Sequence, residues 1–181
     1  METIKAIAKR KTTRKYLQGQ IAQNALETIL FAGCSAPVAG NDWHTMQLVV
    51  IQNKELLSRI SKAGNIGRKK ARDPLYGAPT LILIASEIYC PYPFHAGQQN
   101  AACIGENMCI AASDLGVGST YLTGFLPGFN ADSELVKDAG VREGFKTMAA
   151  IALGYPEVKD ESEKKMDHQE IITFITDDYP L

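Results

Sequence analysis

The chain has 181 residues, 45% of them hydrophobic and 22% charged, which is enough for one domain with a buried core. Its 19 Lys and Arg balance 20 Asp and Glu to a net charge of −1, which argues against a nucleic-acid-binding surface. The longest apolar runs fall far short of the roughly 20 residues that span a bilayer, and no early run has signal-peptide character, so we expect a cytoplasmic protein.

The first half of the chain alternates helical and strand patterns. Apolar residues at helical spacing predict a short helix that ends near Arg10 and a second helix over 23–36, which Pro37 terminates. The next predicted elements are a β-branched strand over 46–53, a helix over 54–64 and a loop over 64–79.

The second half is more apolar. Residues 79–86 predict a central strand, because the run is hydrophobic on both faces. The longest helix is predicted over 96–116, and its many Ala, Gly, Cys and Met residues indicate burial on most sides. The remaining predictions are a Gly-rich connection over 117–128, a buried strand over 147–154, and an edge or swapped strand over 168–175.

This order of elements predicts an α+β or α/β sandwich around a modest sheet. We interpret the chain as one domain over 1–181, in which 156–181 form a C-terminal arm. The four cysteines lack CxxC spacing, which argues against a zinc site, and buried, reduced thiols are favoured over a redox role. They are Cys34, Cys90, Cys103 and Cys109.

Positive charge is concentrated near the start of the chain. Residues 1–15 carry six cations and one anion, a balance of +5, and five of the cations fall between Lys9 and Lys15. Such an excess indicates a phosphate site, a polyanion site or a solvated helix end that complements its own dipole. The residues alone leave these three readings open.

Four separated stretches resemble, in this order, the FMN-dependent nitroreductase family in its shorter form. They are residues 9–16, 36–41, 105–125 and 151–159. Each stretch is a weak signal, but the ordered set touches nearly the whole chain. The resemblance implies an α+β homodimer with a three-layer α/β/α sandwich, a mostly antiparallel central sheet and about one FMN per chain.

The resemblance assigns the first cation-rich stretch to FMN. Arg10-Lys11-Thr12-Thr13-Arg14 resembles the family's Arg-x-Ser-x-Arg, so Arg10 is expected to bind the terminal phosphate bidentately, with Lys11 adding charge. Thr12 stands where the family has Ser, and Arg14 is expected at the pyrimidine edge of the isoalloxazine ring. Lys9 and Lys15 are interpreted as solvated flanks.

The second stretch resembles the family's Ala-Pro-Ser-x-x-Asn turn, which meets the flavin bound mainly by the other subunit. The resemblance therefore places Pro37, Val38 and Asn41 at the cofactor of the neighbouring chain. Val38 departs from the family's hydroxyl residue at that position.

The last two stretches supply the remaining expected contacts to FMN. In relatives the backbone N–H at the position of Gly124 donates to flavin N5, and a glycine there lets the backbone approach closely. A basic residue after "GYP" is expected on the phosphate, where Lys159, Lys164 and Lys165 compete and register favours the last two. The cofactor-binding residues expected from these stretches are Tyr121, Leu122, Thr123, Gly124, Lys164 and Lys165.

The resemblance implies an oxidoreductase in which NAD(P)H reduces FMN, leaves, and is replaced by a nitroaromatic, a quinone or a similar acceptor in ping-pong order. Since the cofactor supplies the redox chemistry, no catalytic side chain and no metal ligand are assigned. The alternatives are a flavin-storing protein with little turnover, or dehalogenation, enone reduction or flavin fragmentation on the same scaffold. Nucleic acid is not expected as a partner, since residues 9–15 lack interleaved aromatics. A membrane is not expected either, because the apolar runs are short.

Overall fold

A computed structural model describes residues 2–66, 72–89, 91–92, 96–165 and 168–175. Part of the predicted 64–79 loop, and Cys90, lie outside these ranges. None of the described helices is long and apolar enough to cross a membrane.

Six α-helices and four strands make up the fold of the described chain. The helices are α1 (Thr3–Lys9), α2 (Gln23–Cys34), α3 (Lys54–Ala63), α4 (Ala96–Asp114), α5 (Leu126–Ala131) and α6 (Ser133–Asp138). The strands are β1 (Met46–Ile51), β2 (Thr80–Glu87), β3 (Gly118–Leu122) and β4 (Phe145–Gly154). Short 3₁₀ turns cover Ala39–Asn41, Trp43–Thr45 and Gln169–Ile171.

The four strands form one antiparallel sheet in the order β1-β2-β4-β3. The central strands β2 and β4 place Ile82 opposite Ile151, and both side chains are fully buried. Their apolar residues alternate between the two faces of the sheet, so each face needs a covering layer. A register shift between Ile84 and Ala85 leaves Met148 as an extra residue in β4.

Helices cover both faces of the sheet. On one face, α2 and α4 pack over Ile82, Ile84 and Ile151, and α1 lies against α4. On the other face, α3, α5 and α6 cover Leu81 and Leu83. The arrangement confirms the predicted α+β fold with three α/β/α layers and an antiparallel central sheet.

The prediction of a Gly-rich connection over 117–128 was wrong, because Gly118–Leu122 form the edge strand β3 and Leu126 begins α5. An edge strand carries little apolar signal, and Gly116 and Gly118 read as turn residues. Residues 168–175 contain a 3₁₀ turn and, as described, no edge strand. Pairing of this segment with a second chain stays a prediction.

The prediction that the cysteines are buried holds for one of the three that are described. Cys109 is buried, whereas Cys34 and Cys103 are exposed free thiols. Cys103 belongs to a stripe along α4 that no other described element covers, together with Gln99, Ala102 and Glu106. The helix is therefore less enclosed than its composition predicted.

The segment after α1 docks on the open edge of β3. Thr12 forms a parallel bridge with Ser119, and the Thr13 N–H donates to the Ser119 carbonyl at 2.9 Å. Further along, Tyr16 pairs with Pro156, and the Leu17 N–H donates to the Tyr155 carbonyl at 2.8 Å. These contacts fix the cation-rich segment beside the sheet and beside the start of the C-terminal arm.

Candidate functional site

The site is built around Arg10, at the C-terminal end of α1. Its Nε atom lies 2.9 Å from Oε1 of Glu106, which projects from the uncovered stripe of α4. The same Nε atom is buried and has no hydrogen bond of acceptable geometry to any described residue. A buried guanidinium nitrogen without such a partner is costly, so the position suits an added anion.

The structure brings Lys164 to this point from the C-terminal arm. The backbone N–H of Lys164 donates to the carbonyl of Ala8 at 2.9 Å. Burial lowers the pKa of the Lys164 ammonium, and the nearby charges of Arg10 and Lys11 lower it further, while Glu106 opposes them. Arg10 and Lys164 are therefore both near Glu106, and Lys11 is close enough to repel Lys164, so an added anion would relieve the repulsion among these cations.

The described contacts single out Lys164 among the candidate lysines of the arm. The charge of Lys159 lowers the pKa of Glu161 instead, and Lys159, Lys164 and Lys165 are all exposed. Of the three lysines that the sequence left in competition, Lys164 is the one placed beside Arg10.

The remaining cations near the start of the chain pair with the arm. Lys11 Nζ lies 2.6 Å from Asp160 Oδ2 and also contacts the Ser162 hydroxyl, while Lys9 Nζ lies 2.7 Å from Glu161 Oε2. The interpretation of Lys9 as a solvated flank was therefore wrong, because a carboxylate 152 residues away in sequence reaches it. Lys15 is exposed and stands 4.0 Å from Glu157.

Thr12 and Arg14 lie on the same docked segment, and both are exposed. The backbone bridge between Thr12 and Ser119 fixes the segment on β3. The two exposed side chains are therefore carried on an ordered backbone, and a ligand that binds them does not have to order a loop. The segment presents Arg10 at one end and Arg14 at the other, a separation of about 13 Å if it is fully extended.

The segment Tyr121–Gly124 ends β3 beside α4. The Tyr121 ring is 39% exposed, and burial of its remainder raises the pKa of the phenol. Thr123 and Gly124 are exposed, so a ligand can approach the Gly124 backbone without meeting a Cβ atom. Leu122 packs in the core beneath α3 and α5, which leaves only its backbone for a ligand.

The turn Pro37–Asn41 lies near the N-terminal end of α4. The Ala39 N–H donates to Asn100 Oδ1 at 3.0 Å, six residues before Glu106. Pro37 and Asn41 are exposed, and Asn41 adopts a left-handed conformation with φ 56° that asparagine tolerates. Val38 is 9% exposed and packs in the core cluster beneath α2 and α4.

A cavity of ≈ 980 Å³ opens beside Tyr121 and Thr123. It lies where β3 ends, so that the first half of β4 has no strand on that edge. There the Asn130 side chain, and not a strand, donates to the Thr147 carbonyl at 2.9 Å. Thr147 is one of the residues that line the cavity and is 1% exposed, and its buried hydroxyl has no hydrogen-bond partner among the described residues. Lys146, Met148 and Gly97 are among the other residues of its wall, which is partly polar and partly apolar.

Sequence reasoning missed Glu106 and Thr147. Glu106 lies inside a stretch that carried the family resemblance, but only the fold reveals its contact with Arg10. Thr147 reads as an ordinary residue of a buried strand, so nothing in the pattern marks its hydroxyl as unpartnered.

Three comparisons with known proteins bear on the family and the fold of this chain. Residues 63–155 match the sequence profile of the Nitroreductase family. A protein of Archaeoglobus fulgidus named "Putative NADH dehydrogenase/NAD(P)H nitroreductase" is 30% identical over 164 residues, which cover 90% of this chain and 88% of that protein.

Two solved structures extend the likeness to nearly the full length. A nitroreductase of Bacteroides fragilis with bound FMN superposes with a TM-score of 0.79 at 28% identity, covering 97% of this chain and 100% of that one. An FMN-bound nitroreductase of Desulfitobacterium hafniense gives a TM-score of 0.83 at 21% identity and the same coverage, which supports the fold.

Proposed function

This chain belongs to the Nitroreductase family, and from that premise we propose that it is an FMN-dependent oxidoreductase driven by NAD(P)H. Its acceptors are nitroaromatics, quinones or similar small molecules, reduced in ping-pong order. The observation that carries the proposal is the clustering of Arg10, Lys11 and Lys164, in which Arg10 pairs with Glu106 and Lys11 with Asp160.

These residues fit the phosphate end of FMN. A phosphate near pH 7 carries close to two negative charges and three acceptor oxygens, which match a guanidinium fork and an ammonium group. The buried Arg10 Nε atom has the Glu106 carboxylate at 2.9 Å but no well-aligned hydrogen bond, which a phosphate oxygen could supply. Bound there, FMN would supply the electron-transfer chemistry.

The other site residues orient the ring. Arg14, exposed at the far end of the docked segment, supplies a fixed cation for the pyrimidine edge. The backbone N–H of Gly124 is proposed to donate to N5, with Tyr121 and Thr123 forming the adjoining wall. A cation held beside the ring stabilises negative charge that develops there, and it needs no reorganisation to do so.

The cavity beside Thr123 offers space for the nicotinamide and the acceptor. Its volume of ≈ 980 Å³ is at the upper end of small-molecule sites. A ping-pong order follows if the two substrates use this space in turn, since neither then needs its own permanent pocket. The chain's part is to hold each against the ring and to limit the access of water.

We propose further that the active form is a homodimer in which Asn41 of the partner subunit meets the flavin. The uncovered stripe of α4 and the exposed apolar side chains of α1 and α2 are the surfaces that a second chain would cover. Phe31 is 74% exposed and Ile4 is 76% exposed.

Spectroscopy of the purified protein tests the proposal. The protein should purify yellow with about one FMN per chain, and anaerobic mixing with NADH or NADPH should bleach the flavin band. Mixing the reduced protein with a nitroaromatic or a quinone should then restore the band. A flavin that binds but is bleached by neither nicotinamide would favour the flavin-storing alternative, and a colourless protein that takes up no FMN would refute the proposal.

A further inference from the structure

The C-terminal arm is joined to the start of the chain by contacts that flank Arg10 on both sides. Lys9 pairs with Glu161 at 2.7 Å, and Lys11 pairs with Asp160 at 2.6 Å. Beyond the two ion pairs, the Lys164 N–H donates to the Ala8 carbonyl. The two ion pairs and the backbone bond therefore bracket the same short stretch of chain.

Asp160 also organises the arm itself. Its Oδ1 atom accepts from the Ser162 N–H at 3.0 Å and from the Ser162 hydroxyl at 2.7 Å. The hydrogen bond from Lys11 is the main cause that holds the pKa of Asp160 far below its ordinary range. Glu161 has its pKa lowered by Lys9 in the same way.

We propose that Asp160 and Glu161 are positioning residues, which hold the arm so that Lys164 stands beside Arg10 in the phosphate site. The inference rests on the proposed binding of FMN at that site. Without the two ion pairs, the described contacts that still hold this part of the arm are the backbone bond to Ala8 and the contact between Lys11 and the Ser162 hydroxyl. Repulsion from Arg10 and Lys11 then favours an outward Lys164. Pinning the ammonium in advance removes an ordering cost from cofactor binding.

The same carboxylates have a second effect of opposite sign. Each adds a negative charge near the site, which by itself weakens binding of an anionic phosphate. If this effect prevailed, Asp160 and Glu161 would compete with the phosphate, and their removal would tighten binding. The two roles therefore predict opposite changes in affinity.

Three single-charge variants separate the roles: Asp160→Asn, Glu161→Gln and, as the matched control, Glu157→Gln. Each removes one carboxylate from the arm, but Glu157 stands 4.0 Å from Lys15, outside the bracketed stretch. Asparagine at 160 keeps an acceptor for Ser162. The affinities of the FMN-free full-length variants for FMN and for riboflavin, which lacks the phosphate, are measured by quenching of flavin fluorescence.

We expect Asp160→Asn and Glu161→Gln each to weaken FMN binding by about threefold to fivefold, the upper range for one exposed ion pair. Riboflavin binding should be unchanged, and Glu157→Gln should change neither affinity. In a Lys164→Met background, the effects of Asp160→Asn and Glu161→Gln on FMN binding should disappear, since both residues act through Lys164.

Unchanged or tighter FMN binding in both variants would overturn the positioning role. The positioning role would also be overturned if Asp160→Asn and Glu161→Gln weakened FMN binding as much in the Lys164→Met background as in the wild type. Equal affinity of the wild type for FMN and riboflavin would remove the phosphate site itself and the positioning role with it. If the wild type prefers FMN to riboflavin and Lys164→Met abolishes that preference, the phosphate site is supported even where the Asp160 and Glu161 variants overturn the positioning role.

Discussion

Arg10 and Glu106 lie 2.9 Å apart, Nε to Oε1, although one ends the first helix and the other lies in the middle of α4. The contact sets a carboxylate inside a group of cations. Glu106 holds the guanidinium near α4, but its charge opposes any anion that the cations attract. Its two effects can be separated by removing the charge while keeping the shape.

We expect Glu106→Gln to tighten FMN binding by about fivefold, because the repulsion between two anions is lost while Gln still offers an oxygen to Arg10. The gain should shrink at high salt, since the Glu106 side chain is half-exposed and its charge is screened. Fluorescence titration at low and high salt measures both effects. Weaker FMN binding in Glu106→Gln would instead show that the main role of Glu106 is to orient Arg10.

Arg10 and Arg14 should affect different properties of the bound flavin. Arg10→Ala should weaken FMN binding about tenfold or more, since charge-assisted hydrogen bonds contribute roughly 1.5–3 kcal/mol each. Arg14→Met should lower the reduction potential instead, by about 30 mV for a loss of ~1.4 kcal/mol in a two-electron couple. Spectroelectrochemistry of both FMN-saturated variants tests the contrast, and a wild-type potential in Arg14→Met would move Arg14 away from the ring.

Gly105 allows the Tyr121 ring to lie against α4. A Cβ atom at Gly105 would stand 2.6 Å from Cε2 of Tyr121, so Gly105→Ala should push the ring outward toward the proposed flavin. We expect FMN binding to weaken by about 1 kcal/mol, the cost of an off-rotamer ring. Gly33→Ala is the control, because its Cβ would meet the flexible end of Met108 at 2.3 Å, between α2 and α4.

The control variant should change thermal stability and leave FMN affinity unaltered. Equal losses of affinity in Gly105→Ala and Gly33→Ala would mean that the effect passes through the packing of α4 and not through Tyr121.

Exposed apolar residues on α1 and α2 should be covered in a dimer. Light scattering should give the mass of two chains for the wild type, and Phe31→Glu should yield a monomer that binds FMN weakly. Ile66→Glu is the control, because it introduces the same charge at a side chain that is 73% exposed, against 74% for Phe31. Ile66 lies just beyond α3, on the opposite layer of the sandwich. It should leave the dimer intact, and a stable FMN-loaded wild-type monomer would refute the shared site.

Tyr16 should make stability depend on alkaline pH. Burial raises the pKa of Tyr16 to about 12, and its hydroxyl pairs with the Thr120 hydroxyl at 2.9 Å. A folded-state pKa above the unfolded value of about 10 means that this stabilisation is complete below about pH 10 and is lost as the pH rises toward 12. The shift corresponds to about 2–3 kcal/mol.

Urea unfolding of the wild type and of Tyr16→Phe between pH 8 and about 12 tests this expectation. The free energies of unfolding should converge or cross as the pH rises, because Phe at position 16 cannot ionise. If the free energies of unfolding of the two proteins fall in parallel as the pH rises, a group other than Tyr16 titrates.

The parts of the fold that were predicted from sequence are those with strong local periodicity. The strands β2 and β4 are apolar on both faces, and α4 keeps small and apolar residues over five turns, so each could be identified without its neighbours. The edge strand β3 was missed because it is defined by its pairing with β4 and not by a pattern in its own residues. Its own residues carry no equivalent signal.

The site divides in the same way. The cations near the start of the chain are a local feature, so sequence alone identified the segment. The pairs Arg10–Glu106, Lys9–Glu161 and Lys11–Asp160 join residues about 100 to 150 positions apart. Only the tertiary arrangement decides which cation keeps a carboxylate and which remains for a ligand.

The docking of the N-terminal segment on β3 and on the arm has a consequence for biosynthesis. Residues 9–15 leave the ribosome before their partners, which include Ser119 and residues of the arm up to Ser162. Contacts of such high sequence separation form late, because the intervening chain must be ordered first. The nascent chain therefore carries this basic segment without its carboxylate partners until the arm has been made, and the proposed phosphate site is complete only after that point.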